Sequence, residues 1–214
     1  MQTYKTIYKT QIAEIIEKKS KFIATAVPVE TRDEAEVELA KLRKQYSDAT
    51  HNVFAYRIKE EVGIWERQSD DGEPSGTAGM PILDMLRGEE IVNILMVVTR
   101  YYGGTLLGTG GLVRAYGHSA KDAIVDVIEK ALYACVSIKV DYTLSGKVQY
   151  ELGLGAYNIK DTIYTDIVEY QVYIKEENLE EFIKAIKEMT NDNAEIELIE
   201  KAYGFLYQNE FIIG

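Results

Sequence analysis

Between Asp70 and Arg114 the chain sets one apolar strand, Ile91 to Arg100, between two glycine-rich loops. The first loop reads Asp70-Asp71-Gly72-Glu73-Pro74-Ser75-Gly76-Thr77-Ala78-Gly79. The second reads Tyr101-Tyr102-Gly103-Gly104-Thr105-Leu106-Leu107-Gly108-Thr109-Gly110-Gly111. Nine of the sixteen glycines fall in this span. Each glycine costs extra backbone entropy on folding, so such crowding implies backbone with positive φ or a surface that another group approaches closely. Strand, glycine loop and helix, in that order, point backbone amides at an anion. The stretch therefore predicts a buried central strand with a binding surface at its end.

The flanking sequence supplies the rest of one layered domain. Residues 10–17 and 20–29 read as two strands, the second apolar on both registers and so buried on both faces. Thr31-Arg32-Asp33-Glu34 is a capping-box pattern. The helix it opens runs to about Tyr46, with Ala35, Leu39, Leu42 and Tyr46 inward. Strands follow at 53–58 and 64–68, then a short helix from about Thr77 to Arg87. After Gly111 a long helix carries Leu112, Tyr116, Ala120, Ala123, Ile124, Val127 and Ala131 on one face.

Beyond residue 134 the plan is simpler. A strand spans 135–143, a helix 147–157, a hairpin 158–165 and 167–175, a helix 177–189 and a last strand 194–201. This β-α-β-β-α-β order is the ferredoxin-like pattern. The expected domains are 1–134 and 135–214, in an α+β chain.

Charge is uneven between them. Residues 1–135 carry 17 Lys+Arg and 20 Asp+Glu, whereas residues 136–214 carry 7 and 15, which gives −3 and −8 of the total −11. An acidic chain is not a general nucleic-acid binder, because counterion release needs a basic face. No DNA partner is expected. The apolar run near Ile91–Val98 is far short of the ~20 residues that span a bilayer, and the first residues have no apolar signal core. With its single cysteine, Cys135, read as a small buried residue, the chain is expected to be cytoplasmic and to have no membrane partner.

Several groups in the loops can carry chemistry. Asp70, Asp71 and Glu73 can hold Mg²⁺ through oxygen ligands, can hold Arg100 or Arg114 in charge-assisted bonds, or can cap the helix near Thr77. Gly103-Gly104 and Gly110-Gly111 can cradle a phosphate at a helix N-terminus, or allow tight helix–sheet packing. The loop is neither a Walker A sequence nor a dinucleotide fingerprint. Tyr101 and Tyr102 can stack on a base or a peptide, or simply pack. His51 lies in a polar turn before a strand, placed for a ligand or acid–base role. His118 lies on the long helix, packed or facing solvent. No Ser-His-Asp order or nucleophile elbow is apparent.

These stretches resemble the IMPACT/YigZ family, and its bacterial two-domain members in particular. The resemblance is carried by Ser20-Lys21-Phe22-Ile23-Ala24, by Ala49-Thr50-His51-Asn52-Val53 with Ala55-Tyr56-Arg57, by Asp70 through Gly79 with Pro81-Ile82-Leu83, and by Thr99-Arg100-Tyr101-Tyr102-Gly103-Gly104, Leu107 through Leu112 and Arg114-Ala115-Tyr116. It covers nearly the whole chain. It implies a first domain like the second domain of ribosomal protein S5 and a second, ferredoxin-like domain similar to the C-terminal domain of elongation factor G. It also implies a link to translation, as its eukaryotic members regulate it. Where family members often show a Thr-x-Gly-Arg/Gln turn, this chain has Thr190-Asn191-Asp192-Asn193. That acidic turn argues against RNA contact by the second domain.

The resulting expectation is a non-enzymatic binding and regulatory protein, without a cofactor, that meets the ribosome, RNA or a translation-associated protein. Arg100, Arg114 and the amides around Gly110 and Gly111 would hold a phosphate-bearing or acidic partner. His51, Asp70, Asp71, Glu73, Ser75 and Thr77 would line or brace the site, and Tyr101, Gly103, Gly104, Thr105 and Gly108 would complete its second loop. On this reading Arg100 is exposed at a strand end, so Arg100→Glu would abolish binding and spare the fold. The alternative is a Mg²⁺-dependent enzyme that handles nucleotides or phosphate esters with the same loops.

Overall fold

A computed structural model of the chain describes residues 3–155 and 157–214. Its elements are β1 (Thr3–Ile7), β2 (Gln11–Glu17), β3 (Ser20–Pro28), α1 (Arg32–Gln45), β4 (His51–Glu60), β5 (Gly63–Ser69), α2 (Gly79–Gly88), β6 (Ile94–Tyr101), α3 (Thr109–Asp122), β7 (Val127–Val140), α4 (Tyr142–Leu154), β8 (Asn158–Tyr164), β9 (Val168–Lys175), α5 (Leu179–Thr190), β10 (Glu195–Tyr207) and β11 (Glu210–Ile213). They form two units, one of Tyr4–Ile128 and one of Glu129–Gly214 together with Thr3.

In the first unit five antiparallel strands run β2-β3-β6-β4-β5. Alternation along β3, β4 and β6 sends successive side chains to opposite faces. Phe22, Ala24, Ala26, Val53, Ala55, Met96 and Val98 meet α2 and α3 on one face. Val27, Phe54, Tyr56, Leu95 and Val97 meet Ala35, Leu39 and Leu42 of α1 on the other. β6 is therefore buried on both sides, which is why its sequence is a continuous apolar run. α1 opens as its pattern predicts: the Thr31 hydroxyl accepts the Glu34 amide at 3.1 Å. Glu34 reaches one residue further back than a capping box requires, to the Glu30 amide at 2.7 Å.

Three expected boundaries are corrected. The expected strand over 91–100 begins at Ile94, because Asn93 takes a left-handed conformation, φ 56°. Its side-chain oxygen accepts the Lys59 amide at 2.8 Å, which fixes the kink. The helix expected to reach Ala131 ends at Asp122. Gln11 captures the chain just beyond: its oxygen accepts the Val125 and Asp126 amides at 2.7 and 3.0 Å, and its amide donates to the Asp126 carbonyl at 2.9 Å. Val127 and Ile128, β-branched, then start β7. The third correction is α4, which begins at Tyr142 rather than 147. Asp141 caps it by accepting the Thr143 and Leu144 amides at 2.8 and 3.0 Å.

The second unit runs β7-α4-β8-β9-α5-β10-β11, with the sheet path β11-β10-β7-β9-β8 and antiparallel neighbours. Val136, Ile138, Val140, Tyr170, Val172 and Ile174 face Val148, Leu152, Phe182 and Ile186 of its two helices. Cys135 is buried on the opposite face beside Tyr133 and Tyr173. Burial pushes its thiol pKa up, so it is a poor nucleophile at neutral pH. β1 and β11 were not legible as strands in the sequence.

Candidate functional site: the two glycine loops and the start of α3

The first loop is held by its own carboxylates. One Asp70 oxygen accepts the Ala78 and Gly79 amides at 3.0 and 2.8 Å, and the other accepts the Gly76 amide at 2.8 Å. Asp70 thus supplies the N-terminal cap that Ala78, the residue before α2, lacks. Asp71 accepts the Asn52 amide at 2.6 Å and faces Arg43 at 3.1 Å. Its carbonyl lies 2.8 Å from His51 Nδ1, so that ring nitrogen carries the proton and donates. Thr77 is buried, its hydroxyl donating to the Pro74 carbonyl at 2.6 Å. Gly79 has no room for a Cβ, which would collide with Gln68 and the Ser69 backbone.

The two loops are joined through a buried ion pair. Arg100 Nη1 donates to Glu73 Oε1 at 2.5 Å, with the two side chains 6% and 4% exposed. The same oxygen accepts the Tyr116 hydroxyl at 2.8 Å, and His51 Nε2 stands 3.8 Å away. Arg100 Nη2 donates to Ser20 Oγ at 3.2 Å, and that hydroxyl oxygen accepts the Gly103 amide at 3.1 Å. Phe22 and Tyr102 rings flank the guanidinium at 5.4 and 5.6 Å. Burial, and then the neighbouring Glu73 carboxylate, push the Tyr116 hydroxyl pKa well above its ordinary value, so it is a permanent donor. Gly103 is forced: a Cβ there would land on the backbone of Lys19 and Ser20.

This overturns one expectation. Arg100 is not an exposed strand-end cation but the centre of a buried bracket, because the β3–β6 register places it opposite Phe22 and beneath α3. Glu73 holds Arg100 and Asp70 caps α2, two of the uses open to those carboxylates. Asp71 holds Arg43 rather than either loop arginine. Among the described residues no three His, Cys, Asp or Glu side chains are grouped to hold a metal ion.

The remaining loop residues face outward. Ser75, Tyr102, Gly104, Thr105, Gly108, Gly110 and Arg114 are exposed, and Gly111 is half-buried. Tyr101 is half-buried and donates its hydroxyl to Asp48 at 2.9 Å. Gly108, with φ 76°, precedes α3, and no side chain caps the helix there. The first amides of α3 therefore have no intrahelical acceptor. Arg114, one turn on, reaches back so that its Nη1 lies 3.6 Å from where a Gly110 Cβ would sit.

Arg114 differs from every other arginine in the chain. Arg32 faces Glu60, Arg43 faces Asp71, Arg57 and Arg87 share Glu66, Arg67 faces Glu36 and Arg100 faces Glu73. Among the described residues Arg114 has no such partner. Beside it, Lys18 and Lys19 form the β2–β3 turn with φ 45° and 69°. Two left-handed residues in a two-residue hairpin usually call for Asn or Gly. Ser20, which ties this turn to the second loop, was missed in the sequence. Its role depends on the cross-strand register, which periodicity does not reveal.

The Impact N-terminal domain matches residues 18–124, and the Domain of unknown function (DUF1949) matches residues 138–193. The chain is 36% identical to the IMPACT family member YvyE of Bacillus subtilis, over 98% of this chain and 100% of that protein. It is also 36% identical to an IMPACT family member of Haemophilus influenzae, over 92% of this chain and 91% of the relative. A solved structure, described as that of an hypothetical protein, superposes with a TM-score of 0.60 at 28% identity, covering 94% of this chain and 98% of that one. The chain belongs to the IMPACT family.

Proposed function

We propose that the chain is a non-enzymatic regulatory protein of translation, acting in the cytoplasm. The partner is the ribosome or a molecule bound to it, held through an acidic or phosphate-bearing group. The site is the outward half of the glycine-loop region: the amides at the start of α3, Gly110, Gly111 and Arg114. The buried half, with Arg100, Glu73, Asp70, Asp71 and His51, is its brace. One observation carries this reading. In a chain with 35 acidic and 24 basic residues, Arg114 stands without a carboxylate among the described residues, at a helix N-terminus that no side chain caps. Both features favour an external anion.

The fold supports the same placement. The first sheet, with helices on both faces, fits a likeness to the second domain of ribosomal protein S5. The β10-β7-β9-β8 order of the second unit fits a ferredoxin-like domain. The enzymatic alternative is less well supported. It needs Asp70, Asp71 and Glu73 for Mg²⁺, and each already binds backbone amides or a guanidinium.

Co-sedimentation with ribosomes and separated subunits tests the proposal. Wild-type protein should pellet at low salt and be released at moderate salt, and Arg114→Glu should stay in the supernatant at both. An Arg114→Glu protein that pellets like wild type would refute the site. Absence of wild-type pelleting at low salt would refute the partner.

A further inference from the structure

A groove of about 400 Å³ opens beside the start of α3, between that helix and the β2–β3 turn. Its floor is apolar, made by Ile15, Leu107 and Ala115, and its rim carries Lys18, Arg114 and His118. We propose that this groove binds an acidic polypeptide segment, seating one aliphatic or aromatic side chain on the floor and carboxylates against Arg114 and Lys18. The inference rests on the reading that Arg114 faces an external anion, and it narrows that anion to a protein's carboxylates.

Three observations favour a peptide over a nucleic acid. Among the described residues the lining has no Phe, Tyr or Trp, and its one imidazole, His118, lies toward Asp122, whereas single-stranded nucleic acids are held chiefly by stacking on aromatic rings. Its free cations are few and local, and Glu17 stands at the same rim, whereas a phosphate backbone needs a basic track. The surroundings are apolar: Leu106 is 81% exposed, with Ile16 and Val113 also exposed nearby in sequence. Apolar surface next to unpaired charge is the pattern of a peptide-binding groove, where the apolar anchor supplies affinity and the rim charges supply orientation and on-rate. Lys18 strengthens the argument. It holds a left-handed backbone, φ 45°, against the usual preference for Asn or Gly, and among the described residues it has no partner. His118 is turned partly away, its Nε2 lying 3.5 Å from Asp122 on the same helix. The anion contact therefore falls to Arg114 and Lys18.

The test is selection of a random twelve-residue peptide library on phage against the full chain, with subtraction on Arg114→Glu. The strongest binder is then synthesised and measured by fluorescence anisotropy. The selected sequences should carry Asp or Glu around a Leu, Ile, Met or Phe. Affinity should fall at least tenfold in Arg114→Glu, at least threefold in Lys18→Glu, and at least threefold when the peptide's apolar residue becomes Ala. Failure to select a peptide that distinguishes the two proteins overturns the proposal, as does a selected set without acidic residues. Tight binding of a twelve-residue oligouridine with the same Arg114 dependence would reassign the groove to nucleic acid. The outcome separates cleanly from the ribosome reading: Arg114-dependent pelleting without a selected peptide removes only the peptide, and a selected peptide without pelleting removes only the ribosome.

Discussion

Arg100 and Arg114 bracket the same glycine loop, and local sequence makes them equivalent: each is a cation beside glycines and tyrosines. Their environments are opposite. Arg100 is sealed between Phe22, Tyr102, Ser20 and Glu73, and it ties the strand to the first loop. Arg114 stands on the exposed side of α3, without a partner among the described residues. The difference comes from element type. A strand in the middle of a two-faced sheet buries both of its faces, so its arginine must bring its own carboxylate. A helix buries one stripe, and position 114 lies off the Leu112–Ala115–Tyr116–Ser119 stripe that packs inward. Glycine-rich loops next to basic residues thus mark two jobs, and only burial separates bracing from binding.

The largest way to break the brace is Glu73→Ala. It leaves the Arg100 guanidinium and the Tyr116 hydroxyl buried without their shared acceptor. Removing one partner of a buried pair costs about 3–5 kcal/mol. Urea denaturation should show the midpoint falling accordingly, and a loss below about 1 kcal/mol would mean the pair is not a structural bracket.

Asp70→Ala should be milder. It removes the acceptor for three amides at the start of α2, and loss of a helix N-cap costs roughly 0.5–2 kcal/mol. Asp70→Asn keeps an acceptor and should recover most of that loss in the same assay. Equal destabilisation by both variants would show that the carboxylate charge, rather than its hydrogen bonds, does the holding.

A still smaller, pH-dependent effect belongs to a three-residue ion cluster away from the loops. Arg87 foremost, and then Arg57, hold the Glu66 carboxyl below the usual carboxylate range against the opposing effect of burial. A depressed folded pKa gives stability that is full above the unfolded value of about 4.3 and is lost as pH falls through the folded value. Wild-type stability should therefore decline as pH drops below about 4.5, more steeply than in Glu66→Gln. Parallel curves in that range would mean the cluster contributes nothing to acid sensitivity.

Much of this architecture is legible in the sequence because its signals are local. The Thr31 cap, the Ala35–Leu39–Leu42 stripe and the doubly apolar β6 all follow from residue types at fixed spacing. The boundaries that differ were decided by contacts distant in sequence. Gln11 ends the α3 segment from more than a hundred residues away. Asn93 bends the entry to β6 by capturing Lys59. The candidate site divides in the same way. The glycines and acidic residues of the loops stand out by composition. That Asp70 caps, that Glu73 is claimed by Arg100 and Tyr116, and that Ser20 bridges two elements depend on register. The apolar floor of the groove, Ile15 with Leu107 and Ala115, brings together three segments whose apolar residues read only as core.

The measurement that tests the account most directly is one charge reversal made at both arginines, with urea denaturation as the readout. Arg100→Glu places a second carboxylate beside Glu73 in a buried site and should cost at least about 3 kcal/mol or prevent folding. Arg114→Glu should change stability by less than about 0.5 kcal/mol, as expected for an exposed site without partners among the described residues. Similar losses at the two positions would contradict the division into a buried brace and an open binding face.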